Sequence, residues 1–397
     1  MKRIMFLGDA PSQVPPIKYA LAQGFYVIVC DYSANNPGRK LANEFYNIST
    51  TDKEAILVLA RALKVDGIVA YASDPAAPTA AYVSETLGLP GNPYKSVEIL
   101  ARKDLFRQFL KQNHFNVPLS KSFKDIEDAI IWLNTASFPL FVKPVDSSGS
   151  KGVTEVKHGK DFRAAFDYAM LFSREKLVVV EEEIVKKGYQ VAGDGFVVNG
   201  ELVFRCFADE HFDKLCNGLV PIGQTFPSSH LSPLLELAHK ETQRLLTLLN
   251  MKTGALNFDF VFNAAGEFYF LELGPRNGGC LIPEVIKYAT GIDLIKATVD
   301  AALGFDCSWI KQKPVESFWS SYMVHSIEKG GFSSLYKSDK AIDRIVEESF
   351  DIRKGSSVNK YSGSNDTLGM MILQYENLEE MLGMVDNMEN DIRVELM

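Results

Sequence analysis

Two short aromatic strands, each interrupted by one carboxylate, constrain this chain more than any other feature. Phe258–Phe262 and Phe268–Leu273 flank the turn Asn263-Ala264-Ala265-Gly266, and two β-forming runs joined by a short Gly-containing turn make an antiparallel hairpin. Asp259 lies between Phe258 and Phe260, and Glu272 between Leu271 and Leu273. Pairing the strands brings both carboxylates to neighbouring positions. An acid bounded by Phe on both sides is costly to leave unpaired. Two adjacent oxygen donors suit Mg²⁺, which is held by one or two carboxylates together with substrate phosphates. Two unrelated, half-exposed acids are the alternative reading.

Two further segments carry the chemistry of a phosphate site. In Phe141-Val142-Lys143-Pro144-Val145-Asp146, followed by Ser147-Ser148-Gly149-Ser150-Lys151-Gly152, a lysine ends a strand and a small-residue loop follows. A cation and several free backbone N–H groups then converge, as phosphate oxygens require. The spacing is not that of a P-loop. Gly274-Pro275-Arg276-Asn277-Gly278-Gly279 follows Glu272 directly. Arg276 there is placed to clamp a carboxylate or to stabilise charge on a transferring phosphoryl group, and the glycines behind it let backbone approach a substrate closely.

At 397 residues the chain has room for about two to four domains. Its first 95 residues alternate strand-like runs (Arg3–Leu7, Tyr26–Cys30, Gly67–Tyr71) with helical patterns (Ile17–Gln23, Glu54–Leu63), the order of a parallel, doubly wound sheet. The first turn, Gly8-Asp9-Ala10-Pro11-Ser12, lacks G-x-G-x-x-G, which argues against a dinucleotide site. Asp74 ends the third strand, where such sheets bind ligands, and it could equally cap the next helix. Leu89-Pro90-Gly91-Asn92-Pro93 punctuates a domain boundary. Beyond it the pattern predicts one helix over Ser96–Gln112 with Ser96 as its N-cap. It also predicts a hairpin about Asn199-Gly200 and a helix over Leu234–Leu249. In the last ninety residues Gly330-Gly331 and Gly355-Ser356-Ser357 read as loops, Leu368–Leu373 as a strand and Leu378–Asn387 as a helix.

The net charge of −8 disfavours nucleic acid and anionic membrane as main partners. The opening apolar run ends at Gly8-Asp9, too short for a signal-peptide core, and no run nears the roughly 20 apolar residues of a membrane span. Five scattered cysteines contain no C-x-x-C pair, so reduced thiols in a cytoplasmic protein are expected. Arg205, Asp209, Glu210, His211 and Asp213 follow one strand and are candidates to read an amine or a carboxylate, or else are solvated hairpin residues. His114, His158, His230, His239 and His325 show no ligand spacing.

Taken in order, Lys103, Lys143, the Ser147–Gly152 loop, Glu181-Glu182-Glu183-Ile184, Asp259, Glu272 and Arg276 resemble the ATP-grasp superfamily over roughly Leu89–Gly304. Glu272-Leu273-Gly274-Pro275-Arg276-Asn277-Gly278-Gly279 looks most like its carboxylate–amine (amino-acid) ligase branch. The resemblance implies an α/β and α+β architecture. A Rossmann-like pre-ATP-grasp domain covers 1–95 and an ATP-grasp domain covers 96–305, with a flexible lid at about 118–180; a small C-terminal α+β lobe covers 306–397. It implies Lys103, Lys143 and Ser147, Ser148, Gly149, Ser150, Lys151 and Gly152 at the ATP phosphates, and Glu181, Glu182, Glu183 and Ile184 at the adenine edge. Gln190 falls where the ribose-binding acid usually stands. Asp259 and Glu272 match the Mg²⁺ ligands (Mn²⁺ being an alternative ion), and Arg276 the catalytic arginine. The Asn that often follows two residues after the metal-binding Glu is here Gly274, which has no side chain to ligate with. The expected reaction joins a small-molecule carboxylate to an amine through an acyl phosphate, releasing ADP and phosphate, in a family where homodimers are common. A purine-pathway formyl- or carboxyl-transferring enzyme and a non-catalytic ATP-binding module are the alternatives.

Overall fold

The computed structural model describes residues 1–33, 35–350 and 352–397. At the N-terminus β1 (Arg3–Leu7), β2 (Tyr26–Cys30), β3 (Glu44–Tyr46) and β4 (Gly67–Val69) form a parallel sheet in the order β3-β2-β1-β4. The buried runs of β1, β2 and β4 reflect helices on both faces. The helix Lys53–Leu63 is capped by the Asp52 carboxylate, which accepts from the Ala55 N–H, and closes with Lys64 at φ 52°. This unit rests on the helix Leu294–Ala302: a Cβ at Gly67 would run into the Ala302 carbonyl, so only glycine lets sheet and helix meet this closely.

The strands β5 (Ser120–Phe123), β6 (Leu140–Pro144), β7 (Thr154–Val156) and β8 (Val178–Glu182) make a second, antiparallel sheet in the order β5-β8-β6-β7. The helix Phe162–Phe172 packs on it through Phe162, Ala165, Phe166 and Ala169. The central sheet has eight strands in the order β13-β12-β9-β10-β11-β14-β18-β16. Its first half comprises β9 (Gln190–Val198), β10 (Glu201–Phe212), β11 (Pro221–Phe226), β12 (Gly254–Phe262) and β13 (Phe268–Gly274). Asn199 and Gly200 have φ 51° and 87°, the two left-handed residues that a tight β9–β10 hairpin needs.

Residues after 305 do not build a sheet of their own alone. Strands β14 (Phe318–Val324), β16 (Ile345–Phe350) and β18 (Gly369–Tyr375) extend the central sheet, while β15 (Gly330–Lys337), β17 (Ser357–Val358) and β19 (Ile392–Leu396) form a separate three-stranded sheet. Gly330-Gly331 therefore begins a strand rather than a loop; a Cβ at Gly330 would press on the Leu396 side chain. The helix expected over Ser96–Gln112 is two helices, Tyr94–Ala101 and Lys103–Gln112, broken at Arg102, which is extended (φ −117°, ψ 115°). Ser96 does not cap; its hydroxyl donates to the Leu249 carbonyl at 2.5 Å. Among the described residues no helix is long and apolar enough to cross a membrane.

Candidate active site

The site begins with a defect in the β12–β13 hairpin. Phe262 pairs with Phe268 and Phe260 with Phe270, and a regular ladder would then set Glu272 opposite Phe258, facing the core. A β-bulge at Leu271 shifts the register, so Glu272 pairs with Asp259 and Leu273 with Phe258. The bulge moves the Glu272 carboxylate onto the face that Asn257 and Asp259 share, while Phe258, Phe260 and Phe262 stay buried beneath. The Leu271 carbonyl accepts from Arg107 Nη1 at 3.0 Å.

The acid pair is not isolated. Gln190 on β9 donates its amide Nε2 to Asp259 (2.8 Å) and to Glu210 on β10 (2.9 Å), and Gln224 on β11 donates to the other Glu210 oxygen at 3.4 Å. Burial and then Glu272 push the Asp259 carboxyl up to about 7; burial and then Asp259 push Glu210 up to about 8. Gln190 thus bridges Asp259 and the buried Glu210, and the half-exposed Glu272 stands opposite Asp259 on the next strand, so oxygen donors of the kind a divalent cation takes line this face.

Two lysines enter from opposite sides. The helix break at Arg102 makes Lys103 the first residue of its helix, and its ammonium lies 2.5 Å from Glu272 Oε1 and 3.0 Å from the Ser147 carbonyl. Desolvation lowers the Lys103 pKa, but Glu272 outweighs it and the group is raised. A helix N-terminus beside a cation is a place for phosphate oxygens. Lys143 on β6 contacts Glu181 Oε1 at 2.5 Å. Glu181 also takes Arg107 on both oxygens (Nε at 2.9 Å, Nη2 at 3.3 Å), with the two side chains 3 % and 6 % exposed. Burial alone would raise the Glu181 carboxyl; Arg107 and Lys143 outweigh it and hold the group well below its ordinary value.

The remaining expected residues are spread around this centre. Gly149, Ser150 and Gly152 have φ of 63°, 56° and 77°, which gives the 147–152 loop its tight course, and Ser150 Oγ donates to the Leu219 carbonyl at 2.5 Å. Lys151 is exposed. Glu182 ends β8 and accepts from the Ser137 N–H at 2.7 Å, while Glu183 and Ile184 lie beyond the strand with Glu183 exposed. Arg276 is clamped by Asp74 on Nε (2.8 Å) and Nη2 (2.6 Å), with Nη1 donating to Asn257 Oδ1 (2.8 Å) and to the Asn277 carbonyl (2.9 Å). Only the second Nη2 hydrogen lacks a partner among the described residues. Asp74 is thus neither a helix cap nor free: burial raises its carboxyl, but Arg276 prevails and holds it low. Asp194, packed under Asn257 and accepting from the Gly278 N–H at 2.9 Å, is pushed up to about 6 by burial.

Of the five residues near β10, only Glu210 faces the acid pair. Arg205 pairs with Glu236, Asp209 accepts from Ser228 Oγ (2.6 Å) and the Ser229 N–H (2.8 Å), His211 meets Asp386 and Thr225, and Asp213 meets His325. Arg107 was not among the residues expected at the site, and Glu210 was expected only as one of five candidates to read an amine or a carboxylate. Arg107 stands one helical turn after Lys103 on the same face, a signal the sequence does carry. The link from Glu210 to Asp259 through Gln190 becomes visible only once β9 and β10 are paired.

Residues 102–309 match the family model "Carbamoyl-phosphate synthase L chain, ATP binding domain". The carbamoyl phosphate synthase large chain of Thermoanaerobacter sp. (strain X514) is 27% identical over 227 residues, which is 57% of this chain and 20% of that protein. The chain therefore spans about a fifth of that relative's length. The formate-dependent phosphoribosylglycinamide formyltransferase of Prochlorococcus marinus is 27% identical over 283 residues, 69% of this chain and 70% of the relative. In three dimensions the L-amino acid ligase from Bacillus licheniformis superposes with a TM-score of 0.82 at 20% identity, covering 100% of this chain and 99% of that one.

Proposed function

The chain belongs to the carbamoyl-phosphate synthase L chain ATP-binding-domain family, with the ATP-grasp fold, and from that premise we propose that it is an ATP- and Mg²⁺-dependent ligase. It phosphorylates a small carboxylate on oxygen, releasing ADP, and lets an amine displace the phosphate from the resulting acyl phosphate. The observation that carries this reading is the bulge-paired Asp259 and Glu272, with Lys103 against them and Arg276 immediately downstream.

The residues fit the ion. Asp259 and Glu272 supply hard oxygen donors, with Glu210 joined to Asp259 through Gln190; burial, and then the neighbouring carboxylates, hold Asp259 and Glu210 above the ordinary carboxylate range. When bound, Mg²⁺ neutralises phosphate charge and orients the transferring group. Lys103 exchanges Glu272 for phosphate oxygens, and Lys143 does the same from Glu181, whose charge stays matched by Arg107. The 147–152 loop adds backbone N–H groups. Arg276, immobilised by Asp74 and Asn257, presents its remaining N–H to the oxyanion of the carbonyl under attack. No side chain need act as covalent nucleophile; the protein supplies position and charge.

A one-carbon acid, formate or bicarbonate, is the carboxylate this reading puts first, because the Prochlorococcus relative that spans most of the chain is formate-dependent by name. An amino acid as carboxylate is the second reading, supported by the overlay of the Bacillus licheniformis L-amino acid ligase on the whole chain. The test is Mg²⁺-dependent release of ADP and phosphate with formate, bicarbonate or pooled amino acids, each with and without pooled amines. Release that needs formate or bicarbonate supports the first reading, and release that needs amino acids supports the second. ATP binding without release under any pool overturns the ligase assignment.

A further inference from the structure

Outside the nucleotide site, three metal-ligating side chains from two distant stretches of chain meet at one point. Asp213 directly follows β10, Cys216 lies three residues on in the β10–β11 loop, and His325 directly follows β14. One donor atom from each, a carboxylate oxygen, the thiol sulfur and an imidazole nitrogen, lies within 4.8 Å of the others. His325 is buried; Asp213 and Cys216 are half-buried.

The hydrogen bonds around the cluster orient the carboxylate and the imidazole toward each other, while the Cys216 thiol donates to the Ser326 carbonyl at 3.8 Å, with a proton that metal binding would release. Asp213 Oδ1 accepts from the Leu215 N–H at 2.7 Å, which leaves Oδ2 to face the histidine. His325 Nδ1 lies 2.7 Å from the Met323 carbonyl, an acceptor only, so this nitrogen carries the ring proton. Nε2 then presents a lone pair, and it faces Asp213 Oδ2 at 3.0 Å. Two lone-pair atoms at hydrogen-bond distance need a second ring proton or a cation between them. A histidine whose far nitrogen is held by a backbone carbonyl is also how proteins aim an imidazole at a metal. The Cys216 N–H donates to the Asp213 carbonyl at 3.2 Å, closing a turn that sets carboxylate and sulfur side by side at an Asp-x-x-Cys spacing.

We propose that Asp213, Cys216 and His325 form a binding site for a borderline divalent ion of the Zn²⁺ class, distinct from the Mg²⁺ site. A thiolate–imidazole–carboxylate set selects such an ion over Mg²⁺. With metal–ligand bonds of about 2.0–2.3 Å, tetrahedral neighbours stand roughly 3.3–3.8 Å apart, so the cluster needs only a small contraction. Water takes the fourth position. The ion ties the β10–β11 loop to the end of β14. That loop also seats the phosphate-binding segment, since Leu219 accepts from Ser150 and Asn217 donates to the Ser362 carbonyl at 3.0 Å. Metal here would fix the surface against which the 147–152 loop closes.

The test uses the full, reduced, chelator-stripped chain titrated with Co²⁺. A single equivalent should produce tetrahedral ligand-field bands and a near-ultraviolet thiolate-to-cobalt band, displaced by Zn²⁺ and insensitive to Mg²⁺. The band should survive Cys280→Ser, which alters the other half-buried thiol, vanish in Cys216→Ser, and require roughly tenfold or more Co²⁺ in His325→Gln. In the unsubstituted protein, Zn²⁺ should slow alkylation of Cys216, read by peptide mass spectrometry, so the test survives a variant that fails to fold. No thiolate–cobalt band, a band that persists in folded Cys216→Ser, or Cys216 alkylation at the same rate with and without Zn²⁺ would each overturn the proposal.

Discussion

Gln190→Glu is the substitution that probes the charge balance of the site most directly. The side chain keeps its shape and loses the amide that now donates to Asp259 at 2.8 Å and to Glu210 at 2.9 Å. Hydrogen bonds to charged acceptors contribute about 1.5–3 kcal/mol each, so losing two costs roughly 3–6 kcal/mol before any repulsion. At about 2–4 °C per kcal/mol for a unit of this size, the fall in Tm is on the order of 10 °C at pH 8 without metal. The effect depends on pH with a definite sign. Asp259 and Glu210 start from ordinary values of 3.8 and 4.5 and are raised to about 7 and about 8. Between those limits the native state holds more protons than the unfolded chain, so native stability declines as pH rises across the window. A further carboxylate between them steepens that decline. At pH 6 the neighbours still carry protons to share with it, and the penalty shrinks. Thermal unfolding by circular dichroism in a chelating buffer at pH 6 and pH 8, with Gln190→Met as the uncharged control, measures this. Mg²⁺ should restore part of the loss at pH 8 in Gln190→Glu and not in Gln190→Met. A Tm loss equal at the two pH values, or absent at pH 8, would refute the convergence of acids on Gln190.

Other substitutions separate the parts of the site. Glu272→Gln should abolish Mg²⁺-dependent ATP turnover and leave the far-ultraviolet spectrum unchanged; normal turnover would remove Glu272 from the metal site. Asp74→Asn leaves Arg276 with one acceptor oxygen from residue 74 where it had two, and a loosened arginine should lower kcat by roughly 10–100-fold with little change in the KM for ATP; a change confined to KM would argue for a binding role. Arg107→Met strips Glu181 of its larger partner in a buried setting. Breaking such a pair costs about 3–5 kcal/mol, measured as a lower urea midpoint, and a neutral result would mean that Lys143 alone neutralises Glu181.

The sequence was legible where one residue type carries one local meaning. Asn199-Gly200 marks its hairpin because few other pairs accept two left-handed conformations, and the alternation about Asp259 separates a core face from a cleft face. It was illegible where geometry depends on a partner strand. The four-residue turn read from the sequence pairs Phe262 with Glu267 and sets Glu272 on the face of Asp259; the strands in fact pair Phe262 with Phe268, which alone would turn Glu272 away, and the bulge at Leu271 that turns it back has no motif of its own. The break at Arg102 was hidden because helical spacing holds on each side of it, Val97 to Leu100 and Phe106 to Leu110, while only the six-residue step between them shifts the stripe to another face. Gly330-Gly331 looks like a loop because glycine weakens strands, yet close packing against Leu396 calls for glycine there. Arg205, Asp209 and His211 were indistinguishable from Glu210 in one dimension, since each finds a separate structural partner only after folding.

The contact between Lys103 and Glu272 has a thermodynamic consequence. The group that would grip phosphate and the group that would grip the metal neutralise each other at rest, so neither ligand meets a vacant charge. Nucleotide alone must strip Lys103 from Glu272 and leave a bare carboxylate behind, while metal alone must strand an ammonium. Arriving together they replace one internal ion pair by two external ones. Linkage then requires each to raise the affinity of the other by the same factor. The site should behave as a coincidence detector for the metal–nucleotide complex, with weak binding of either component singly.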